Sequence, residues 1–227
     1  MKRAIITYAA GAHEELLDIS LPTYRAFAER HGYDLLVTRN EILESSRFLH
    51  YNMVLPPAWN KIPLLLDALE RYDEVVWFDC DLVIVDATED FPPLQDGKLH
   101  ALVRHFEDYS EVPNSGVWRL RRVVPDMELW SLDLLNQMLM LCVFTNHGWW
   151  EQAALMTLMG YCVPPEGSDF QETKCRCVYP TVWHHSCQFM RLCWNSHPNY
   201  RADKSRIVHC SYPNMVQRIE VMRALVK

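Results

Sequence analysis

The sequence has no basic stripe. It carries 22 lysines and arginines against 29 acids, a formal net charge of −7, where a nucleic-acid binder needs the opposite balance. The one dense basic run, Arg119, Arg121 and Arg122, reads as a solvated edge or a local anion contact. Long hydrophobic runs are missing too. The Met-Lys-Arg start is followed by too short an apolar stretch for a signal peptide. The most apolar long segment, Leu129 to Phe144, has Asp133, Asn136 and Gln137 at its centre, so a buried helix is expected there and no membrane span. The eight cysteines include no C-x-x-C pair. Without an export signal, reduced thiols in a cytoplasmic protein are the simplest expectation, with peripheral attachment to a membrane left open. Repeats, low-complexity tracts and linkers are also absent. With 49% hydrophobic residues over 227 positions, a single domain with a substantial core is expected.

Hydrophobic periodicity predicts an α/β domain with a mostly parallel central sheet. Ala4 to Ala9 reads as a buried first strand ending in small residues that let a ligand approach. Glu14 to Arg30 reads as a helix with Leu17, Leu21, Tyr24 and Ala28 on one stripe, kinked or split at Pro22 and stopped by Gly32. Asp34 to Thr38 is a second strand, which completes a β-α-β opening. Residues 40 to 58 show no period. Asn60 is placed to cap a helix carrying Ile62, Leu65, Leu66 and Leu69, and Glu74 to Phe78 is the next strand. Further on, Val117 to Leu120 and Arg206 to His209 read as short strands, and Glu128 to Cys142 and Trp150 to Met159 as helices.

The most informative stretch is the apolar strand that runs into Asp79-Cys80-Asp81. If the backbone stays extended, Asp79 and Asp81 point one way and Cys80 the other. Two converging carboxylates at the C-terminal edge of a parallel sheet repel one another unless a positive partner is present, and they suit a hard divalent cation such as Mn²⁺ or Mg²⁺. Sugar transfer from a nucleoside diphosphate needs such an ion to stabilise the leaving diphosphate. Two other classes compete. In a haloacid-dehalogenase-type phosphatase Asp79 would be the nucleophile, with Gly167-Ser168-Asp169 the nearest later acidic motif; that fold usually carries the triplet on its first strand. A non-catalytic sugar-binding module would bind ligand and transfer nothing.

Taken with Trp59-Asn60-Lys61-Ile62, Asn114-Ser115-Gly116-Val117, Trp149-Trp150-Glu151-Gln152 and Ile207-Val208-His209-Cys210, the triplet resembles that of GT-A glycosyltransferases. Closest in pattern is glycosyltransferase family 34, the galactosyl-, mannosyl- and xylosyltransferases, with related bacterial and viral enzymes. The resemblance implies a GT-A fold over residues 1–227, with residues 1–86 binding the nucleotide and 87–227 the acceptor. It implies a nucleotide-sugar donor, the UDP form in the first place, a carbohydrate or other hydroxyl acceptor, and an Mn²⁺ or Mg²⁺ cofactor held by Asp79, Asp81 and His209. Lys61 is then a donor contact near the diphosphate or sugar, and Asn114, Ser115 and Gly116 lead a strand past the donor sugar. Cys80, between the two acids, falls in the donor site. Glu151 and Gln152 face the transferred sugar, where the family's preceding acid is replaced here by Trp150. Thr7, Tyr8 and Ala9 face the base and ribose.

The resemblance favours retention of anomeric configuration, whereas related folds invert with an acidic base, for which Glu151 and Asp108 are the candidates. The family often has a Gly and a Lys soon after its closing histidine; here Tyr212, Pro213 and Asn214 follow, and Arg218 or Lys204 is left to meet the diphosphate. The cluster Cys175, Cys177, His184, His185, Cys187 and Cys193 matches no standard zinc spacing. Buried thiols and acceptor-site histidines are the plainer reading, with one of these histidines, Trp183 or Trp194 stacking on an acceptor sugar.

Overall fold

The computed structural model of the chain describes residues 1–39, 56–107, 110–141, 147–163, 175–199 and 204–226. At its centre is a six-stranded sheet. In chain order its strands are β1 (Arg3–Ala9), β2 (Asp34–Arg39), β3 (Glu74–Phe78), β5 (His100–Glu107), β6 (Ser110–Arg121) and β11 (Cys187–Met190). They lie in the order β11-β5-β6-β3-β1-β2. β1 pairs in parallel with both β2 and β3, and β11 with β5, while β6 is antiparallel to both its neighbours. The mostly parallel sheet expected from the sequence is therefore present, with β6 the reversed strand.

Alternation along β1 and β3 divides the core between two faces. Ala4, Ile6, Val75 and Trp77 pack with Ile62, Leu65, Leu66 and Leu69 of helix α2 (Lys61–Arg71). Ile5, Val76 and Phe78 pack with Leu17, Leu21, Tyr24, Phe27 and Ala28 of helix α1 (Glu14–His31). Helices on both faces explain why these strands read as continuous apolar runs. All five residues of β3 are buried, including Glu74, whose carboxylate meets Arg119 of β6 at 2.8 Å.

Several sequence expectations need correction. α1 is one unbroken helix through Pro22, because Pro22 and Asp18, whose carbonyl loses its rung, are both exposed to water. Gly32 does end it, in the left-handed conformation at φ 70°. Asn60 does not cap α2 with its side chain; a 3₁₀ turn (Pro57–Asn60) runs into the helix, and the Asn60 amide donates to Tyr8 Oη at 3.0 Å. The strand expected at Val117 to Leu120 is the end of the longer β6. The helix expected from Glu128 is shorter: β7 (Val123–Val124) and β8 (Leu129–Trp130) form a small ribbon before α3 (Ser131–Met140). Of the two readings of Arg119, Arg121 and Arg122, the local anion contact holds for Arg119 and Arg122 and the solvated edge fails for the buried Arg119. The three bind Glu74, the Leu94 carbonyl and Asp73 respectively.

Elements outside the main sheet build the site. β4 (Leu82–Ile84) follows the acidic turn and pairs antiparallel with β12 (Ile207–His209), setting His209 opposite Leu82. Helix α4 (Trp150–Leu158) contacts β6, and helix α6 (Met215–Val226) packs on α1 and β4. Among the described residues the remaining elements are β9 (Tyr161–Cys162), β10 (Arg176–Cys177), the one-turn α5 (Val182–His185) and 3₁₀ turns at Gly11–His13, Pro125–Met127 and Leu192–Trp194. Among the described residues no helix is long and apolar enough to cross a membrane.

Candidate active site

The acidic turn is held from below by α1. Tyr24 Oη lies 2.6 Å from the Asp79 carbonyl and 3.1 Å from that of Leu82, and Ser20 Oγ donates to the Cys80 carbonyl at 2.7 Å. From β6, the Gly116 carbonyl accepts the Asp79 N–H at 2.9 Å. The buried stripe of α1 thus spends its two polar members on fixing this turn, a use its periodicity does not reveal. The Cys80 side chain packs against the core beside α1, although Cys80 and Asp81 form a turn and not the extended backbone on which alternation depends.

Asp79, Asp81 and His209 converge. One ligating atom from each lies within 4.8 Å of the others, and among the described residues this is the one such group of three. His209 Nε2 is 3.2 Å from Asp81 Oδ1 and 3.8 Å from Asp79 Oδ2. The β4–β12 ladder makes this possible, since Cys210 N–H donates to the Asp81 carbonyl at 2.9 Å. Burial alone would raise the Asp81 carboxyl, but His209 and Arg218 pull it down to about 2. Burial works against a charged His209, and Asp81 and then Asp79 overcome it and raise the imidazole. Two carboxylates and an imidazole form a fitting donor set for a divalent ion. The acids already attract cations: Lys61 Nζ is 3.2 Å from Asp79 Oδ1 and Arg218 Nη1 is 3.0 Å from Asp81 Oδ2. No corresponding cluster appears at the described cysteines and histidines between 175 and 193.

Lys61 is the hub of a second group. Its Nζ meets Glu151 Oε1 at 2.6 Å and Ser115 Oγ at 3.1 Å. Burial is the largest influence on both partners: it raises Glu151 in spite of Lys61, whereas Asp79 and Glu151 outweigh it at Lys61 and keep the ammonium charged. Gln152 Oε1 accepts the Ser115 N–H at 3.0 Å. Asn114 Oδ1 accepts from Gly116 N–H at 2.9 Å and from Asn195 Nδ2 at 2.7 Å. With their oxygens so engaged, both amides are oriented to offer NH₂ groups.

These groups line one cavity of about 760 Å³. Tyr8, Ala9, Lys61, Asp79, Cys80, Asp81, Asn114, Ser115, Glu151, Gln152 and His209 all border it. Two expected residues do not. Thr7 is fully buried and absent from the lining, because alternation turns it to the α1 side with Ile5. Gly116 makes room for a protein group: a β-carbon there would fall 2.5 Å from His209 Cε1. Trp183 and Trp194 are buried in the two cores and present no face to the cavity. Lys204 is exposed and outside the lining, which leaves Arg218 of the two basic candidates. Asp108 and Gly167-Ser168-Asp169 lie outside the described residues. Sequence reasoning missed Trp77, whose Nε1 donates to Asp79 Oδ1 at 2.6 Å, His105 and His197 of the lining, and the buried Asn195, which holds Asn114 from behind. Trp77 was findable, since it stands two residues before Asp79 and so on the same strand face.

No family model matches the chain, and no curated protein matches it. Solved structures do match. A glycosyltransferase involved in glycosylation of the major capsid of PBCV-1 superposes with a TM-score of 0.64 at 14% identity, covering 99% of this chain and 100% of that one. The fold is that of the GT-A glycosyltransferases. Galactosyltransferase LgtC, solved with donor and acceptor sugar analogues, gives a TM-score of 0.57 at 10% identity, with 98% and 95% coverage. Mouse xyloside xylosyltransferase 1 gives 0.53 at 9% identity, with 92% and 97% coverage. In this GT-A chain the acidic triplet follows the third strand, β3, in the middle of the sheet. A haloacid-dehalogenase-type phosphatase carries it on its first, and that alternative loses its structural basis.

Proposed function

We propose that the chain is a metal-dependent glycosyltransferase that moves a sugar from a nucleoside diphosphate, UDP in the first instance, to a hydroxyl acceptor. The observation that carries this reading is the convergence of Asp79, Asp81 and His209 on a cavity at the C-terminal end of β3 in a GT-A fold. A nucleotide sugar needs such a place for its diphosphate. Mn²⁺ or Mg²⁺ bound there would supply Lewis-acid stabilisation of the departing diphosphate. Residues 1–86 would contribute the nucleotide side through Tyr8 and Ala9, and residues 87–227 the sugar and acceptor side.

The chain's own groups have distinct tasks. Lys61 supplies a fixed positive charge where the leaving group gains negative charge, and its three partners hold it ready before substrate arrives. Asn114 and Gln152 turn their NH₂ groups toward sugar hydroxyl oxygens. Glu151 Oε1 is committed to Lys61 and Ser115, which favours an electrostatic role near the reacting carbon over proton abstraction from the acceptor. This supports a retaining course without a strong general base. The test is UDP release from a panel of UDP-sugars, with and without Mn²⁺. Metal-dependent release that stops on chelation supports the reading. A folded chain that hydrolyses no nucleotide sugar and transfers none to acceptor mixtures sinks it and leaves a binding module.

A further inference from the structure

Trp150 stands at the entry to α4 with φ 42°, a left-handed backbone conformation. Bulky side chains adopt it rarely, because it strains the backbone. Glycine is the residue that fits such a junction without strain. The turn is formed all the same: Trp150 N–H donates to the His147 carbonyl at 2.9 Å. The indole gains little from burial in return, since Trp150 is 42% exposed. Of the chain's eight tryptophans, five are buried, Trp149 is half-buried and Trp130 is exposed away from the cavity lining. Trp150 alone is both exposed and part of the wall. The next two residues, Glu151 and Gln152, reach Lys61 and Ser115.

We propose that Trp150 is a specificity-determining platform, on which the ring of a saccharide acceptor lies. A pyranose has an apolar C–H face that suits an indole, and hydroxyls at its rim. The rim can meet polar groups that line the same cavity, His105, His197 and Asn114. A strained aromatic next to the Lys61–Glu151 pair sets the acceptor beside the group to be transferred. An isolated serine hydroxyl or an inorganic acceptor has no face to use it. The inference rests on the transferase reading and names its acceptor class.

The test is ¹⁵N-tryptophan NMR of the full chain with UDP and Mg²⁺ present, the diamagnetic ion leaving the indole signals sharp. The indole signal missing from Trp150→Phe identifies Trp150. Methyl hexopyranosides and lactose at millimolar concentration should move that signal, and sorbitol, which has hydroxyls but no ring, should not. Trp150→Leu should weaken saccharide binding about tenfold, followed through the Trp149 signal, and Trp150→Phe should retain most of it. A Trp150 signal that no saccharide moves, or a Leu variant that binds like wild type, overturns the platform. A chain that binds no nucleotide sugar overturns the transferase reading, and with it the acceptor role of Trp150, even where a saccharide still moves its signal.

Discussion

Lys61 and Glu151 meet at 2.6 Å inside the protein, with side chains only 4% and 5% exposed. They come from helices on different parts of the chain, and their contact ties α4 to the start of α2. Removing one partner of a buried pair leaves the other charged and unpaired. Lys61→Met should therefore destabilise the fold by about 3–5 kcal/mol, read from urea unfolding. The double variant Lys61→Met/Glu151→Gln should recover part of that loss. Equal stability of the single variant and wild type would show that the pair is not buried as described.

Gly116 is required by the imidazole of His209, which would lie 2.6 Å through Nδ1 from an added β-carbon. Gly116→Ala should displace the ring while the sheet persists. Mn²⁺ affinity should drop about 10–100-fold, as for other changes that reorient a ligand. Manganese EPR titration measures this, and circular dichroism checks the fold.

Arg218 occupies Asp81 Oδ2 at 3.0 Å and so competes with any cation for that carboxylate. A charge of +1 and one of +2 about 5 Å apart repel by several kcal/mol at an effective dielectric of about 20. Arg218 can swing aside, so the net effect is smaller. Arg218→Gln should tighten Mn²⁺ binding about tenfold without nucleotide and weaken UDP binding. Unchanged affinity for both would mean that Arg218 leaves Asp81 at no cost.

His100 gives the fold a pH dependence. Its Nδ1 accepts from Trp118 Nε1 at 3.2 Å, and its Nε2 lies 2.8 Å from the Trp183 carbonyl, so the neutral ring fills both positions. Burial lowers its pKa to about 4. The unfolded chain takes up a proton near pH 6.5 that the folded chain refuses. Stability is complete above about pH 6.5 and falls as pH drops toward 4, by about 3 kcal/mol in all. Urea unfolding between pH 7 and pH 4.5 should show this slope, and His100→Gln should flatten it by about one proton.

The parts of the fold legible in the sequence are those written in local pattern. β3 and its acidic turn could be read because a two-sided apolar strand ends abruptly in charge, and α1 because Gly32 marks its end. β6 was largely invisible, since Glu111, Pro113 and Asn114 interrupt its pattern and the β5–β6 register shifts between Ala101 and Val103. His209 stood out only through family resemblance; its pairing with Leu82 joins distant segments that share no period. The burial of Trp183 and Trp194 is not legible, because a tryptophan's identity does not say whether its ring faces a core or a cavity. Trp150 departs visibly from the family pattern, but its positive φ cannot be read from the residue type.

The most direct measurement is a thermal-shift screen of nucleotide sugars with and without Mn²⁺, on wild type and Asp81→Ala. A ligand at about 100 times its Kd stabilises by about 2.7 kcal/mol, which for a chain of this size raises Tm by roughly 5–10 °C. The account predicts a shift of that order for at least one UDP-sugar, dependent on Mn²⁺ and lost in Asp81→Ala. A folded wild-type chain whose Tm responds to no nucleotide sugar, or an Asp81→Ala chain that responds as wild type does, would contradict it.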